Sequence, residues 1–243
     1  MDYSFLQCGE GALTVHLGDG IDPAINRRVT ALQGAIDSAG LRGITDLIPA
    51  YADLTVCYDC TVISAKALQR QLRRLLDSLS VAGQGRRRVF RLPVCYGGDY
   101  GPDLDFVCHH SGLSAQEVIA LHSAPDYLIY MLGFLPGFAY LGGLDPRLHT
   151  PRLDSPRTCI PAGSVGIGGA QTGVYPLASP GGWQLLGRTP VSVFDRQRQE
   201  PILYRAGDLV HFVPISPAEY EEIARAVAAG TYTVQVEEVP VCD

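Results

Sequence analysis

Lysine is almost absent from this sequence. Lys66 is the only lysine among 243 residues, and no glycine precedes it. A nucleotide-binding P-loop needs a Gly-Lys-Ser/Thr step, because the lysine amine must reach the outer phosphates. Any nucleotide chemistry in which this chain takes part must therefore use another kind of site.

Dense positive charge is also scarce, apart from one cluster. The net charge is −6, and the cluster consists of Arg86, Arg87, Arg88 and Arg91, beside a Gly-Gln-Gly step. Binding to a nucleic-acid backbone needs clustered cations, so no nucleic-acid partner is expected. The neighbouring glycines favour a solvated linker for the arginine cluster.

Long apolar runs are missing as well. No run reaches the 18 apolar residues of a transmembrane helix, and the first residues lack the basic and apolar regions of a signal peptide. The seven cysteines are an odd, scattered set, which is typical of a reducing compartment. We therefore expect a globular cytoplasmic protein with no membrane partner.

The first part of the chain alternates strand and helix signals. Strands are predicted at residues 12–17, 45–49 and 53–59, and helices at residues 22–38 and after Ser64. This order favours a small α+β domain with an antiparallel sheet. The Gly-Gln-Gly step at residues 83–85 is the candidate boundary, so we predict domains at residues 1–87 and 88–243.

The second part begins with a strand at residues 88–94, a helix at 103–109, a capped helix from Ser114 to about His122 and a strand at 127–132. Residues 133–190 then hold twelve glycines and eight prolines, which favour the short strands and tight turns of a β-barrel. Further strands are predicted at residues 191–194, 202–204 and 209–213. A last helix of about a dozen residues is predicted to open at Ser216.

The turn-rich segment has an excess of positive charge. It contains Arg147, Arg152, Arg157 and Arg188. Only two acids, at positions 145 and 154, oppose them. Because the planar guanidinium binds carboxylate or phosphate through two parallel hydrogen bonds, the excess indicates a site for a small anion. The alternative is that these arginines pair with acids in the other domain.

A glycine-rich run at residues 161–172 is a second candidate. Small residues let backbone N–H groups approach a ligand and form an anion-binding nest, although an ordinary β-turn has the same composition. Ser164, Gln171 and Thr172 would supply neutral groups that orient a small polar substrate.

Two cysteine patterns have weaker functional interpretations. Cys57 and Cys60 have redox-motif spacing, but side chains three residues apart on a strand face opposite sides, which favours ordinary cysteines. Cys108, two adjacent histidines and His122 could bind zinc, but adjacent residues of a helix cannot all face one point. We therefore predict no metal site.

The run Tyr130-Met-Leu-Gly-Phe-Leu-Pro-Gly-Phe-Ala-Tyr-Leu-Gly-Gly-Leu-Asp-Pro-Arg-Leu148 resembles the signature of a known family. That family contains the B-type subunit of 5-oxoprolinase, the kinase inhibitor KipI and the proteins called allophanate hydrolase subunit 1. Further matches lie at residues 93–98, 101–104, 122–123, 150–153, 156–157, 161–167, 171–176, 179–183, 187–190 and 206–208. Cys159, Gly168-Gly169 and His211 depart from the family pattern.

The resemblance implies a fold and an activity. The implied fold is a small α/β N-terminal domain followed by a cyclophilin-like β-barrel. The implied function is that of the B-type subunit of an ATP-dependent 5-oxoprolinase, which opens 5-oxo-L-proline to L-glutamate. The implied partners are a C-type subunit and an A-type subunit. ATP, with or without magnesium, would serve the complex, and this chain alone would not be active.

Nine side chains are the candidate site residues. Catalytic roles are predicted for His122, Arg157 and Gln171. Binding roles are predicted for Arg188, Tyr175, Ser164, Thr172, Arg147 and Asp145. His122 is the acid/base candidate because its ordinary pKa lies near neutrality, although a lone histidine is often structural. Asp145 precedes a proline, which also fits a turn-forming aspartate.

Two other functions fit the same resemblance. One is a KipI-like inhibitor of a sensor histidine kinase, which would need an exposed apolar patch. The other is a carboxyltransferase-like part of a urea or allophanate pathway enzyme. Catalysis on a small anion instead predicts a polar, arginine-lined cleft.

Overall fold

The computed structural model describes residues 3–79 and 86–240. These residues form two compact units, one in residues 3–79 and one in residues 86–240. The predicted α+β class, with a small antiparallel sheet followed by a barrel, is confirmed. None of the helices in the described residues has the length and apolar content needed to cross a membrane.

The first unit is a four-stranded antiparallel sheet with two helices. Its strands are β1 (Ser4–Cys8), β2 (Ala12–His16), β3 (Ile44–Pro49) and β4 (Asp53–Tyr58), in the order β1-β2-β4-β3. Its helices are α1 (Pro23–Ala39) and α2 (Ala65–Asp77). The predictions for all of these elements except β1 are confirmed. β1 is missed because most of its residues are exposed and show no apolar alternation.

Local chemistry explains where the two helices begin. The Asp22 carboxylate accepts a hydrogen bond from the Ala24 amide at 2.7 Å, and the Ser64 hydroxyl accepts one from the Ala67 amide at 3.3 Å. These bonds satisfy backbone donors that lack a partner within the helix. Along α2, Leu68, Leu72 and Leu76 recur at helical spacing and are buried in the core of this unit.

The second unit is a seven-stranded mixed barrel. Its strands are β5 (Arg86–Tyr96), β6 (Asp126–Leu132), β7 (Ala139–Gly142), β9 (Ser164–Gly168), β10 (Gln171–Val174), β12 (Gln184–Arg188) and β13 (Leu209–Ile215). β5 closes the barrel, because it pairs in parallel with β13 on one side and antiparallel with β12 on the other. The interior is apolar and includes Leu92, Ile129, Leu141 and Val165.

The remaining elements surround or extend this barrel. Strands β8 (Arg157–Ile160) and β11 (Ser179–Gly181) pair with each other, and β14 (Gln235–Pro240) pairs with the first half of β5. The helices are α3 (Leu104–Ser111), α4 (Ala115–Ser123) and α5 (Pro217–Ala228), with a short 3-10 helix at Pro146–Leu148. The predicted capping boxes at Ser114 and Ser216 are confirmed. β14 is not predicted, although apolar and polar residues alternate over residues 232–237.

The interpretation of the basic cluster as a linker is wrong for the residues that form it. Arg86 is the first residue of β5, and the neighbouring strand β14 provides acidic partners for two arginines of the cluster. Arg86 pairs with Glu238 at 3.1 Å and Arg91 with Glu237 at 2.8 Å. Cross-strand pairs of opposite charge stabilise a sheet, so this cluster helps to join β14 to β5. The domain boundary after residue 87 stays a prediction, and β5 begins two residues before residue 88.

The predicted strands at residues 191–194 and 202–204 are also wrong. These two segments share only an isolated bridge between Phe194 and Ile202. Pro190 and Pro201 lack the N–H that a continuous ladder needs, which limits pairing. The apolar pattern reflects burial against the barrel core, where Val193 and Tyr204 are almost fully buried.

Candidate functional site

The second unit contains a small cavity walled mainly by aromatic rings, here called the aromatic pocket. Its volume is about 260 Å³. Its lining residues are Phe134, Phe138, Tyr140, Arg152, Pro156, Tyr175, Pro180, Gly181, Gly182 and Trp183. Ligand sites are usually concave and mostly apolar with a few polar groups, and this cavity has that character at a size suited to a small molecule.

Phe138 organises the aromatic walls. Its ring makes edge-to-face contacts with Phe134, Tyr140, Tyr175 and Trp183, at centroid distances of 5.5, 5.1, 5.5 and 5.5 Å. Such pairs are favourable beyond the area that they bury. Phe138, Tyr175 and Trp183 are 2%, 2% and 4% exposed, so this buried cluster fixes the pocket walls, whereas Phe134 is exposed at the pocket.

The glycine-rich segment of β9 and β10 leaves space for the Trp183 side chain. A Cβ atom on Gly168 would collide with the Trp183 indole, and one on Gly173 would lie 3.1 Å from it. The amides of Gly163 and Gly169 donate to the carbonyls of Tyr175 and Thr150. The absence of side chains at β9 and β10 therefore makes room for Trp183, and these two amides are already occupied by backbone partners.

Phe134 has an unusual backbone. It is the only non-glycine residue of the described chain with positive φ, at 65°. The Leu135 amide donates to the Gly133 carbonyl at 2.8 Å, which closes a three-residue γ-turn around Phe134. The side chain is 62% exposed and lies on the pocket. Strained backbone at an exposed aromatic residue is a feature that clusters at ligand sites.

Arg152 is the single cation of the aromatic pocket. Its guanidinium carbon lies 5.9 Å from the centroid of the Trp183 ring, within cation–π range. No aspartate or glutamate among residues 3–79 and 86–240 forms an ion pair with it. Burial raises the pKa of Tyr175, while the nearby charges of Arg152 and Arg157 oppose that rise. The pocket therefore has a positive potential on one side.

Arg157, predicted to be catalytic, lies behind the pocket and has a partner. Its Nη2 donates to Asp103 Oδ1 at 2.7 Å, and its Nη1 donates to the Trp183 carbonyl at 3.3 Å. Asp103 is 9% exposed and also accepts from the Leu185 amide at 2.6 Å. This geometry positions the Trp183 segment. Asp103 belongs to the same unit as Arg157, so the alternative of pairing with acids of the other domain is wrong for this arginine.

Arg188 and Ser164, predicted to bind substrate, lie opposite each other on β12 and β9. The Ser164 hydroxyl and the Arg188 Nε are buried and have no hydrogen-bond partner among the described residues. Tyr220 of α5 hydrogen-bonds Arg188, and the positive charge lowers the pKa of this tyrosine against the larger rise caused by burial. These two residues are brought together, but neither lines the aromatic pocket.

His122, on α4, is completely buried. Its Nε2 lies 2.7 Å from the Thr172 hydroxyl, and its Nδ1 lies 2.8 Å from the Tyr96 hydroxyl. Because Thr172 donates to the Gly166 carbonyl, Nε2 carries the proton and Tyr96 donates to Nδ1. Burial lowers the pKa of His122 to about 3, so the ring is neutral at neutral pH. These are the surroundings of a structural histidine, the alternative noted above.

Asp145 and Arg147 form a local pair. Two hydrogen bonds of 3.0 and 2.7 Å join the Arg147 guanidinium to the Asp145 carboxylate, which also accepts from the Arg147 amide. These contacts hold the pKa of Asp145 well below its usual range. Asp145 thus caps the 3-10 helix as a turn-forming aspartate. Gln171 is half-buried at the start of β10, opposite Gly168.

The weaker metal and redox interpretations gain no support. Within the residues that the structure describes, no group of three or more histidine, cysteine or acidic side chains could hold a metal ion. Cys57 lies on β4 and Cys60 follows it, and both are free thiols.

The sequence therefore indicates the region of the pocket but few of its residues. Of the nine candidates, Tyr175 alone lines it. In the sequence analysis, Arg152 is counted only in the positive charge of residues 133–190. Phe134, Phe138 and Trp183 are not predicted as site residues. The available signal is the clustering of five aromatic residues and an arginine within a segment otherwise rich in glycine and proline.

Together, the fold and the pocket describe a two-unit α+β protein whose second unit is a mixed barrel with a small aromatic cavity. Residues 3–204 match the family described as carboxyltransferase domain, subdomain C and D. The chain belongs to this family.

Two curated relatives agree with this placement, and a solved structure has the same fold. The chain is 42% identical to the B-type subunit of 5-oxoprolinase from Bacillus subtilis, over 90% of this chain and 95% of that protein. It is 46% identical to the B-type subunit of 5-oxoprolinase from Escherichia coli O157:H7, over 85% of this chain and 93% of that protein. The crystal structure of the K. lactis urea amidolyase has the same fold, with a TM-score of 0.83 and 23% identity over 98% of this chain. The matching region is 16% of that much longer polypeptide.

Proposed function

We propose that this chain is the B-type subunit of a cytoplasmic, ATP-dependent 5-oxoprolinase. In this role it binds 5-oxo-L-proline for ring opening to L-glutamate, together with a C-type and an A-type subunit. The observation that carries the proposal is the identity of 42% and 46% to two proteins of that name, over nearly their whole length.

The division of labour among subunits has its own support. The region equivalent to this chain makes up 95% of a small protein in B. subtilis but only a fraction of a long polypeptide in K. lactis urea amidolyase. A unit that is separate in one protein and joined to others in another commonly works beside those neighbours. We therefore expect this chain to act in a complex rather than alone.

Four of the described arginines are already paired with carboxylates and are not free to bind a nucleoside triphosphate. Arg88, Arg91, Arg147 and Arg157 are each paired with a carboxylate of this chain. Arg152 is the one cation of the aromatic pocket, and the sequence has no P-loop. The ATP site of the complex is therefore proposed to lie on another subunit, and this chain contributes binding and orientation of the small anion.

The predicted site residues then have unequal support. Tyr175 lines the aromatic pocket, and Arg157 holds the Trp183 carbonyl, so both act at that pocket in this proposal. Roles for Arg188, Ser164 and Gln171 stay predictions. So do roles for His122, Thr172, Arg147 and Asp145, whose described contacts are with other groups of this chain.

The test is reconstitution with the C-type and A-type subunits from the same source. We expect ADP release that depends on 5-oxo-L-proline, accompanied by L-glutamate, and a fall to background when any one subunit is left out. A complete, stably assembled complex that releases no ADP on addition of 5-oxo-L-proline would refute the proposal.

A further inference from the structure

We infer that the aromatic pocket is the binding site of the lactam substrate, with the ring between aromatic walls and the carboxylate on Arg152. This inference rests on the proposed function, because the substrate class comes from it. The position and the roles of the residues come from the geometry of the pocket.

The walls suit a small flat ring. Phe134, Tyr140 and Trp183 surround the cavity, and the buried Phe138 ring contacts all three. A five-membered lactam presents C–H groups that pack favourably against aromatic faces. The cavity volume of about 260 Å³ lies below the common range for drug-sized ligands and therefore favours a compact molecule.

The charge of the pocket matches a carboxylate. Arg152 is exposed and lies over Trp183, and it has no ion-pair partner among residues 3–79 and 86–240. A second cation, Arg157, lies close enough to influence Tyr175, but Asp103 already neutralises it. Arg152 is thus the guanidinium that can offer its planar fork to an incoming anion.

The backbone at Phe134 gives an independent reason to place a ligand here. A positive φ at a phenylalanine is unfavourable, and a side chain that is 62% exposed gains little from packing to offset it. Contact with a ring in the pocket would supply the missing packing. The γ-turn keeps the Phe134 ring at the pocket before the ligand arrives, which reduces the ordering cost of binding.

Two variants of the reconstituted complex test separately the carboxylate contact of Arg152 and the ring contact of Phe134. The measured quantities are the KM for 5-oxo-L-proline and the inhibition constant of 2-pyrrolidinone, a lactam without a carboxylate. Arg152→Ala is expected to raise the KM about 10- to 100-fold and to leave the inhibition constant of 2-pyrrolidinone unchanged, because the carboxylate contact is the only ligand contact that is lost. Phe134→Ala is expected to weaken both ligands, by about 3- to 10-fold.

The control is Arg196→Ala, at an exposed arginine outside the pocket, which should change neither constant. An Arg152→Ala complex that turns over with an unchanged KM would overturn the inference and leave the proposed function standing. Equal weakening of both ligands by Arg152→Ala would also overturn it, since the arginine would then act through pocket structure.

If the wild-type complex proves inactive, the proposed function fails and the pocket is judged by direct binding. Trp183 is the only tryptophan of the chain, so its fluorescence reports on the pocket in the isolated full-length protein. A saturable change with 5-oxo-L-proline that Arg152→Ala weakens would support the site. Absence of a saturable change in the wild-type chain would then overturn it.

Discussion

Asp103 shows how a single buried carboxylate can determine the role of an arginine. It accepts a charged hydrogen bond from Arg157 and a second hydrogen bond from the Leu185 amide. A carboxylate that is 9% exposed needs such partners, because leaving a buried charge unpaired is costly. Arg157 therefore has a structural role, which does not depend on any role in a reaction.

Removal of Arg157 should lower stability. We expect Arg157→Ala to reduce the free energy of unfolding by about 1–3 kcal/mol, since Asp103 loses its charged donor, and the partial exposure of the pair moderates the loss. Urea denaturation followed by Trp183 fluorescence measures this directly. Arg152→Ala is the matched variant and should stay within about 0.5 kcal/mol of wild type. Equal stability of the two variants would contradict the structural role of Arg157.

The same residue shows what the sequence can and cannot predict about the site. The four arginines of residues 133–190 are visible in the sequence as an excess of charge, which predicts either an anion site or pairing with acids of the other domain. Arg157 does neither, because it pairs with an acid of its own unit. Arg157 and Asp103 are 54 residues apart in the chain. No local pattern connects such positions, so the choice between a paired and an available guanidinium has to come from the tertiary structure.

At the scale of secondary-structure elements, the sequence predicts an element correctly where the residues that fix it are neighbours in the chain. Helices α1, α2, α4 and α5 begin at Asp22, Ser64, Ser114 and Ser216, where side-chain caps are visible in the sequence. β1 and β14 are not predicted: most residues of β1 are exposed, and the alternation at residues 232–237 that leads into β14 is missed. The γ-turn at Phe134 has no sequence signal either, since a bulky residue is not expected at positive φ.

The loop at residues 133–138 contains two phenylalanines that should respond in opposite ways. Phe134→Gly should leave the unfolding free energy within about 1 kcal/mol of wild type, because relief of the positive φ offsets the added freedom of the unfolded chain. Phe138→Ala should cost about 3–5 kcal/mol, because this ring is buried at the centre of an aromatic cluster. Thermal and urea unfolding monitored by circular dichroism provide the comparison. Similar losses in both variants would show that the exposed ring also carries stability.

At the scale of the molecule, barrel closure brings polar side chains of distant segments into one buried chain of hydrogen bonds. β5 pairs with both β12 and β13, and this register is set by contacts between segments more than 90 residues apart. The same closure brings His122 of α4 against Tyr96 and Thr172. Composition predicts a barrel, but not the order of its strands or what the interior contains.

Burial of a neutral histidine makes the stability of the whole protein sensitive to acid. The pKa of His122 is about 3 in the folded state, against an ordinary value of 6.5. Between these values the unfolded chain binds a proton that the folded chain excludes, so stability falls as the pH is lowered below about 6.5. The contribution is fully present above this pH.

The prediction concerns the difference in unfolding free energy between pH 7 and pH 5, measured by urea denaturation. In the wild-type protein, this difference should exceed that of His122→Gln by about 2 kcal/mol, because glutamine does not titrate. Carboxylates elsewhere contribute equally to both proteins and cancel in the comparison. If both proteins lose the same stability between the two pH values, His122 is accessible to protons in the folded state, and the hydrogen-bond chain from Tyr96 to Gly166 does not hold it neutral.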